Sequence, residues 1–292
     1  MTQAVLLTAH GTVEDLDDMP AFLARIRHGR PASPELVYDL QRRYRAIGGS
    51  PLLAITRVQA DRLSQTLGVP VFLGMRLWRP ELVDALRDAI AAGVRELCVL
   101  PLAPYSVAVY ARAAERALLG LDGASSLTLR PVEAFGSDPA LVAAHARSIA
   151  PFLAGAGDDT LLLLTAHSLP AAVIAAGDAY ASEVERSARA IADQLGRPAE
   201  LAYQSQGADG GDWLGPDLRS VLESARAQGK RRVVIAPVGF LSDHVETLYD
   251  LDIEAKGWAA ELGIELSRVP ALNDAPELIE ALASVARRAL SD

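Results

Sequence analysis

Short apolar runs alternate with longer amphipathic stretches along the whole chain. The runs are AVLLTA, PVFLGM and ELCVLPLA in the first half, then LLLLTA, LAYQS and RVVIAPVGF in the second. Between them lie segments such as PELVDALRDAIAAG and SEVERSARAIADQLG, whose apolar residues recur at helical spacing. Strands separated by helices of this length predict βαβ units and parallel sheets with helices on both faces. The halves also echo each other. VLLTAHGT, carrying His10, matches LLLLTAHSLP, carrying His167, and VLPLAPYS matches VIAPVGFLSDH. An approximate internal duplication is expected, with one α/β domain over residues 1–150, a second over 151–275, and a terminal segment, 276–292, packing back on the first. Each of these four motifs then sits at the carboxyl end of a parallel strand, where open α/β sheets bind ligands. A cleft between the domains is the expected site.

Composition narrows the choices. At 292 residues, 50% hydrophobic and 22% charged, the chain suits a globular protein. It has no apolar run of the roughly 18 residues that cross a bilayer, and MTQAVLLTAHGT lacks a basic leader, so a cytoplasmic protein is expected. A monomer is the expected state. The single cysteine, Cys98, excludes a cysteine-ligated iron–sulfur cluster and reads as a buried structural thiol. A net charge of −9 argues against nucleic acid. There is no phosphate loop and no GxGxxG after a strand, and the glycines of GADGGD lack the required spacing, so no nucleotide is expected. Against the overall charge, Arg25, Arg27, His28, Arg30, Arg42, Arg43 and Arg45 crowd together. Helix-end arginines need no further role, but Arg27, Arg30 and Arg43, with Tyr44 and the turn at Ser50, also suit a carboxylate clamp.

The stretch GFLSDHVETLYDLD gathers Asp243, Glu246, Asp250 and Asp252 around His244. Asp243 and Glu246 fit a helix capping box. A helix starting near residue 243 would instead line up Asp243, Glu246 and Asp250 on one face, a like-charge row suited to a divalent cation or a proton path. Both readings stand. His167 reads either as a strand-end histidine bonded to its loop or as a proton acceptor or metal ligand at the cleft mouth. It projects from the same sheet edge as Glu246.

RIRHGRPASPELVYDLQRRYRAIGGSPLLAITRVQA, GMRLWRP, TAHSLP, GDAY, YQSQ, DWLGPDL and GFLSDHVETLYDLDIE, in this order, resemble the ferrochelatase family. The resemblance implies two Rossmann-like domains with four-stranded parallel sheets, and insertion of Fe2+, as substrate, into a porphyrin with loss of two pyrrole protons to give haem. It implies no organic cofactor. By motif, His167 and Glu246 correspond to the catalytic pair and metal ligands, and Asp243, His244 and Asp250 to an acidic line for metal or protons. Arg27, Arg43, Tyr44, Ser50 and Tyr110 match positions near the substrate propionates, and Arg30 belongs with them in the clamp. The cysteine-poor chain is most similar to bacterial members acting on coproporphyrin III, with protoporphyrin IX next. Such members have A-Y-G-T-P where this chain has AHGTV. His10 thus stands in place of a tyrosine able to ligate product iron, and is expected to approach the metal face opposite His167. The loop after LAP is also about two residues shorter than in relatives. Competing readings are a sirohydrochlorin or cobalt chelatase, a non-catalytic tetrapyrrole carrier, and a metal-dependent hydrolase. The last lacks a compact set of three ligands.

Overall fold

The computed structural model describes residues 2–207 and 211–291. Residues 208–210, the centre of GADGGD, lie outside the described residues. The chain divides into two compact units, one running to Phe135 and including the stretch from Asn273 onward, the other spanning Gly136–Leu272.

The first unit contains β1 (Gln3–Ala9), α1 (Met19–Ile26), α2 (Pro34–Ala46), α3 (Leu52–Leu67), β2 (Val71–Met75), α4 (Leu82–Ala91), β3 (Glu96–Pro101), α5 (Val107–Leu118) and β4 (Thr128–Pro131). Its sheet is parallel throughout, in the order β2-β1-β3-β4. β1 is buried from Ala4 to Ala9, so helices cover both its faces and its buried residues are apolar but for Thr8. α4 buries Leu82, Ala85, Leu86 and Ala89, the i, i+3, i+4, i+7 stripe that its sequence displays. Cys98 in β3 is buried, and burial pushes its thiol up to about 12, out of reach of thiolate chemistry. α1 stops at Ile26, three residues short of Gly29, because His28 and Gly29 both adopt left-handed backbone (φ 56° and 89°).

The second unit contains α6 (Pro139–Ile149), β5 (Thr160–His167), α7 (Ala171–Ala175), α8 (Tyr180–Leu195), β6 (Ala199–Gln204), α9 (Leu218–Ala227), β7 (Arg232–Ala236), α10 (Val245–Leu248), α11 (Lys256–Glu261) and β8 (Glu265–Arg268). Its parallel sheet runs β6-β5-β7-β8, the same order as the first when matched strand for strand. The duplication inferred from the two AH motifs is therefore visible as topology. α6 packs on α8, and Ser187 Oγ donates to the Gly136 carbonyl at 2.8 Å. The division accordingly falls before α6 and not near residue 150. α12 (Pro276–Ser291) packs on α3 and β3 of the first unit. No described helix is long and apolar enough to cross a membrane.

Candidate active site

Parallel strands deliver their last residues to one edge of the second sheet. His167 closes β5 and pairs in register with Gln204 at the end of β6, while Arg268 closes β8 opposite Ile235 of β7. The chain leaving β7 must cross the end of β5. It does so through Gly239, whose N–H donates to the Thr165 carbonyl at 2.9 Å. That crossing brings Phe240 and Glu246 beside His167.

Each side chain here is fixed by several neighbours. The His167 carbonyl accepts a 2.8 Å hydrogen bond from the buried Tyr180 hydroxyl. Its Nδ1 contacts the Ser168 carbonyl, which can only accept, so Nδ1 carries a proton. Nε2 is thereby turned toward Glu246 Oε1, 3.5 Å away. His244 repeats the arrangement: Nδ1 lies 3.1 Å from the Ser242 carbonyl and Nε2 3.4 Å from Glu246 Oε2. Phe240 lies near both imidazole rings, 6.4 Å from His167 and 5.0 Å from His244 between centroids. One carboxylate thus faces two imidazole Nε2 atoms.

A lone pair on His167 Nε2 would repel the Glu246 oxygen, so a proton belongs between them. Burial by itself disfavours the imidazolium, but the Glu246 charge and hydrogen bond, with the Ser168 carbonyl and Asp250, outweigh it and raise the His167 pKa to about 9. Burial also opposes the carboxylate, yet His167 and then His244 hold Glu246 well below the usual carboxylate range. The pair is an imidazolium beside a carboxylate at neutral pH. Both atoms that share the proton are suitable ligands for Fe2+.

The remaining acids do not form a row. α10 is a single turn, followed by a π-helical turn over Asp250–Ala255, so a 3.6-residue projection does not carry from Asp243 to Asp250. Asp243 is not the helix cap either. His244 occupies that position, with its N–H donating to Thr247 Oγ1 at 3.0 Å. Asp243 instead pairs with Arg268 at 2.8 Å and accepts from the Thr247 hydroxyl at 3.0 Å. Asp250 accepts from Ser205 Oγ at 2.5 Å, and Ser205 has a left-handed backbone (φ 61°). Gln204 Nε2 donates to the Glu246 carbonyl at 2.8 Å. Gln204, Ser205 and Tyr180 fall in the YQSQ and GDAY motifs, where sequence supplied position but no role. Arg268 carried no sequence signal. The described residues contain no group of three or more His, Cys, Asp or Glu arranged to hold a metal ion together.

The other anticipated residues lie in the first unit. His10 follows β1 and is exposed, its ring edge-on to Phe22 at 6.3 Å. Tyr44 is buried, with its hydroxyl 2.9 Å from that of Thr12. Arg43 Nε bonds Asp39 at 2.8 Å, and the exposed Arg30 bonds back to the Arg27 carbonyl at 3.3 Å. Ser50 Oγ accepts weakly from the Leu52 N–H at the start of α3, and Tyr110 is buried with the Arg76 guanidinium 5.6 Å from its ring centre.

The ferrochelatase family model matches residues 2–290 of this chain. The chain belongs to the ferrochelatase family. The ferrochelatase of Deinococcus radiodurans is 38% identical over 301 residues, covering 97% of this chain and 95% of that protein. The coproporphyrin III ferrochelatase of Geobacillus kaustophilus is 35% identical over 302 residues, with the same coverages. Among solved structures, SirB from Bacillus subtilis with Fe3+ superposes with a TM-score of 0.61, over 99% of this chain and 96% of that one. At 14% identity that likeness is one of fold. As a ferrochelatase the protein is an enzyme.

Proposed function

We propose that this ferrochelatase inserts Fe2+ into coproporphyrin III, with His167 and Glu246 as the pair that exchanges protons for metal. The observation carrying this reading is the approach of His167 Nε2 to Glu246 Oε1, 3.5 Å, at the carboxyl edge of a parallel sheet. The chemistry balances simply. Two pyrrole N–H bonds break, two protons leave, and the nitrogen pairs they release bind iron with no change in its oxidation state. A cation arriving at the Nε2 and Oε1 lone pairs displaces the proton they share to solvent; as the metal passes to the macrocycle, the freed lone pairs take up one pyrrole proton and the second leaves to solvent. Metal arrival and proton departure are coupled through one pair. Asp243, His244 and Asp250 serve in this reading as the surrounding acidic frame.

Substrate choice rests on charge. Coproporphyrin carries four propionates and protoporphyrin two, and Arg27, Arg30 and Arg43, with Tyr44, Ser50 and Tyr110, are proposed as the carboxylate contacts. The Arg43–Asp39 pair is partly exposed, so an incoming carboxylate exchanges for Asp39 at little cost. His10 is proposed as a nitrogen ligand to the iron of the product. Anaerobic incubation with Fe2+ and either coproporphyrin III, protoporphyrin IX or sirohydrochlorin, followed by absorption, tests the proposal. Coproporphyrin III is expected to give the highest kcat/KM, and His10→Ala to alter the spectrum of bound product. Preference for either other macrocycle overturns the substrate assignment, and an unaltered product spectrum overturns the role of His10.

A further inference from the structure

Four carboxylates within ten residues, Asp243, Glu246, Asp250 and Asp252, should drive their segment apart, and an ion pair from a distant strand opposes this. Arg268, the last residue of β8, has a side chain only 10% exposed. Its Nη1 lies 2.8 Å from Asp243 Oδ1, and its Nε and Nη2 each lie 2.8 Å from Asp252 Oδ2. The two acids bracket Glu246. Asp243 precedes the turn of α10, and Asp252 lies in the π-helical turn that follows it. The Asp243 side is extended by the Thr247 hydroxyl, which donates to Asp243 and accepts from the His244 N–H at 3.0 Å. The Asp252 side is extended by Lys256 Nζ at 2.9 Å.

We infer that Arg268 is the positioning residue for Glu246: its guanidinium, forked between Asp243 and Asp252, pins both ends of the turn that presents Glu246 to His167. The inference rests on the proposed role of Glu246. Arg268 touches neither imidazole nor Glu246, and it acts by fixing where the carboxylate stands. A planar fork can hold two carboxylates in fixed directions, and an ammonium group cannot, so charge alone does not substitute.

Arg268→Lys, which keeps the charge and loses the fork, tests this. The expected variant has the circular dichroism of the parent, a kcat for iron insertion lowered roughly 10- to 100-fold, and an unmoved KM for the porphyrin. With rates expressed per porphyrin-binding molecule, a residue that merely held the fold together would lower the melting temperature and leave kcat at the parental value. Asp252→Asn, which removes one anchor point and leaves the Asp243 pair, is expected to lower kcat in the same way, and decides the matter where Arg268→Lys does not fold. Parental kcat in folded variants overturns the inference, as does a raised KM at constant kcat. Glu246→Gln assayed alongside separates the two levels. If it is inactive while Arg268→Lys is unimpaired, only the role of Arg268 fails; if it is fully active, the role of Glu246 fails as well.

Discussion

Replacing His167 with alanine, or Glu246 with glutamine, lowers the rate of iron insertion by roughly 100- to 10,000-fold while porphyrin binding persists. The effect is expected to be large because each atom does two jobs. In the proposed mechanism His167 Nε2 and Glu246 Oε1, 3.5 Å apart, share a proton at rest, and the same lone pairs are offered to iron. Glutamine keeps the shape of Glu246 but presents no charge, so it neither holds an imidazolium opposite it nor exchanges a proton for a cation. The two losses should not add, because the second substitution removes a partner already disabled. Stopped-flow absorption under anaerobic conditions reads the rate, and quenching of porphyrin fluorescence reads binding. Near-parental rates in both variants would remove these residues from the chemistry.

Gly239→Ala is expected to be the most damaging change outside the reacting pair. A β-carbon at Gly239 would lie 2.6 Å from the Ala166 Cα and 2.7 Å from its Cβ. The obstacle is backbone in a buried central strand, which cannot swing away as a side chain can. Relief requires the chain after β7 to lift off β5, breaking the hydrogen bond to Thr165 and moving the segment that carries Glu246 away from His167. A loss of about 3 kcal/mol follows, with a melting temperature roughly 6 to 12 °C lower and activity reduced even in the folded fraction. Thermal denaturation and the insertion assay check both parts. A variant with parental stability would show that the loop accommodates the methyl group without moving.

Central strands declared themselves in the sequence because they are buried on both faces. β1 and β5 read as mainly apolar runs, and the motifs at their ends located His10 and His167 at once. β4, reading TLRP, and β8, reading ELSR, are sheet-edge strands with partly exposed residues, so their sequences carry neither an apolar run nor a clear alternation. With β8 unread, Arg268 was unread too. The same omission explains why Asp243 looked like a helix cap. Local pattern favoured a bond to its own helix, but a charge-assisted bond from a residue 25 positions away took the side chain instead, leaving His244 and Thr247 to close the turn. The boundary near residue 150 failed for a related reason, since α6 has a typical amphipathic sequence and only its packing on α8 assigns it to the second unit. The positions of His167 and Glu246 at one sheet edge were thus legible, whereas the partners that hold the segment, set by contacts distant in sequence, were not.

The claim on which the account depends is that His167 and Glu246 hold one proton jointly. The ring 15N shifts of His167, followed from pH 6 to pH 10 in the parent and in Glu246→Gln, test it most directly. Because the carboxylate favours the charged ring, the imidazolium should persist through neutral pH and lose its proton near pH 9 in the parent, and at a lower pH once Glu246 is replaced. A parent ring that titrates at the ordinary histidine value, unmoved by Glu246→Gln, would contradict the coupling and the mechanism built on it.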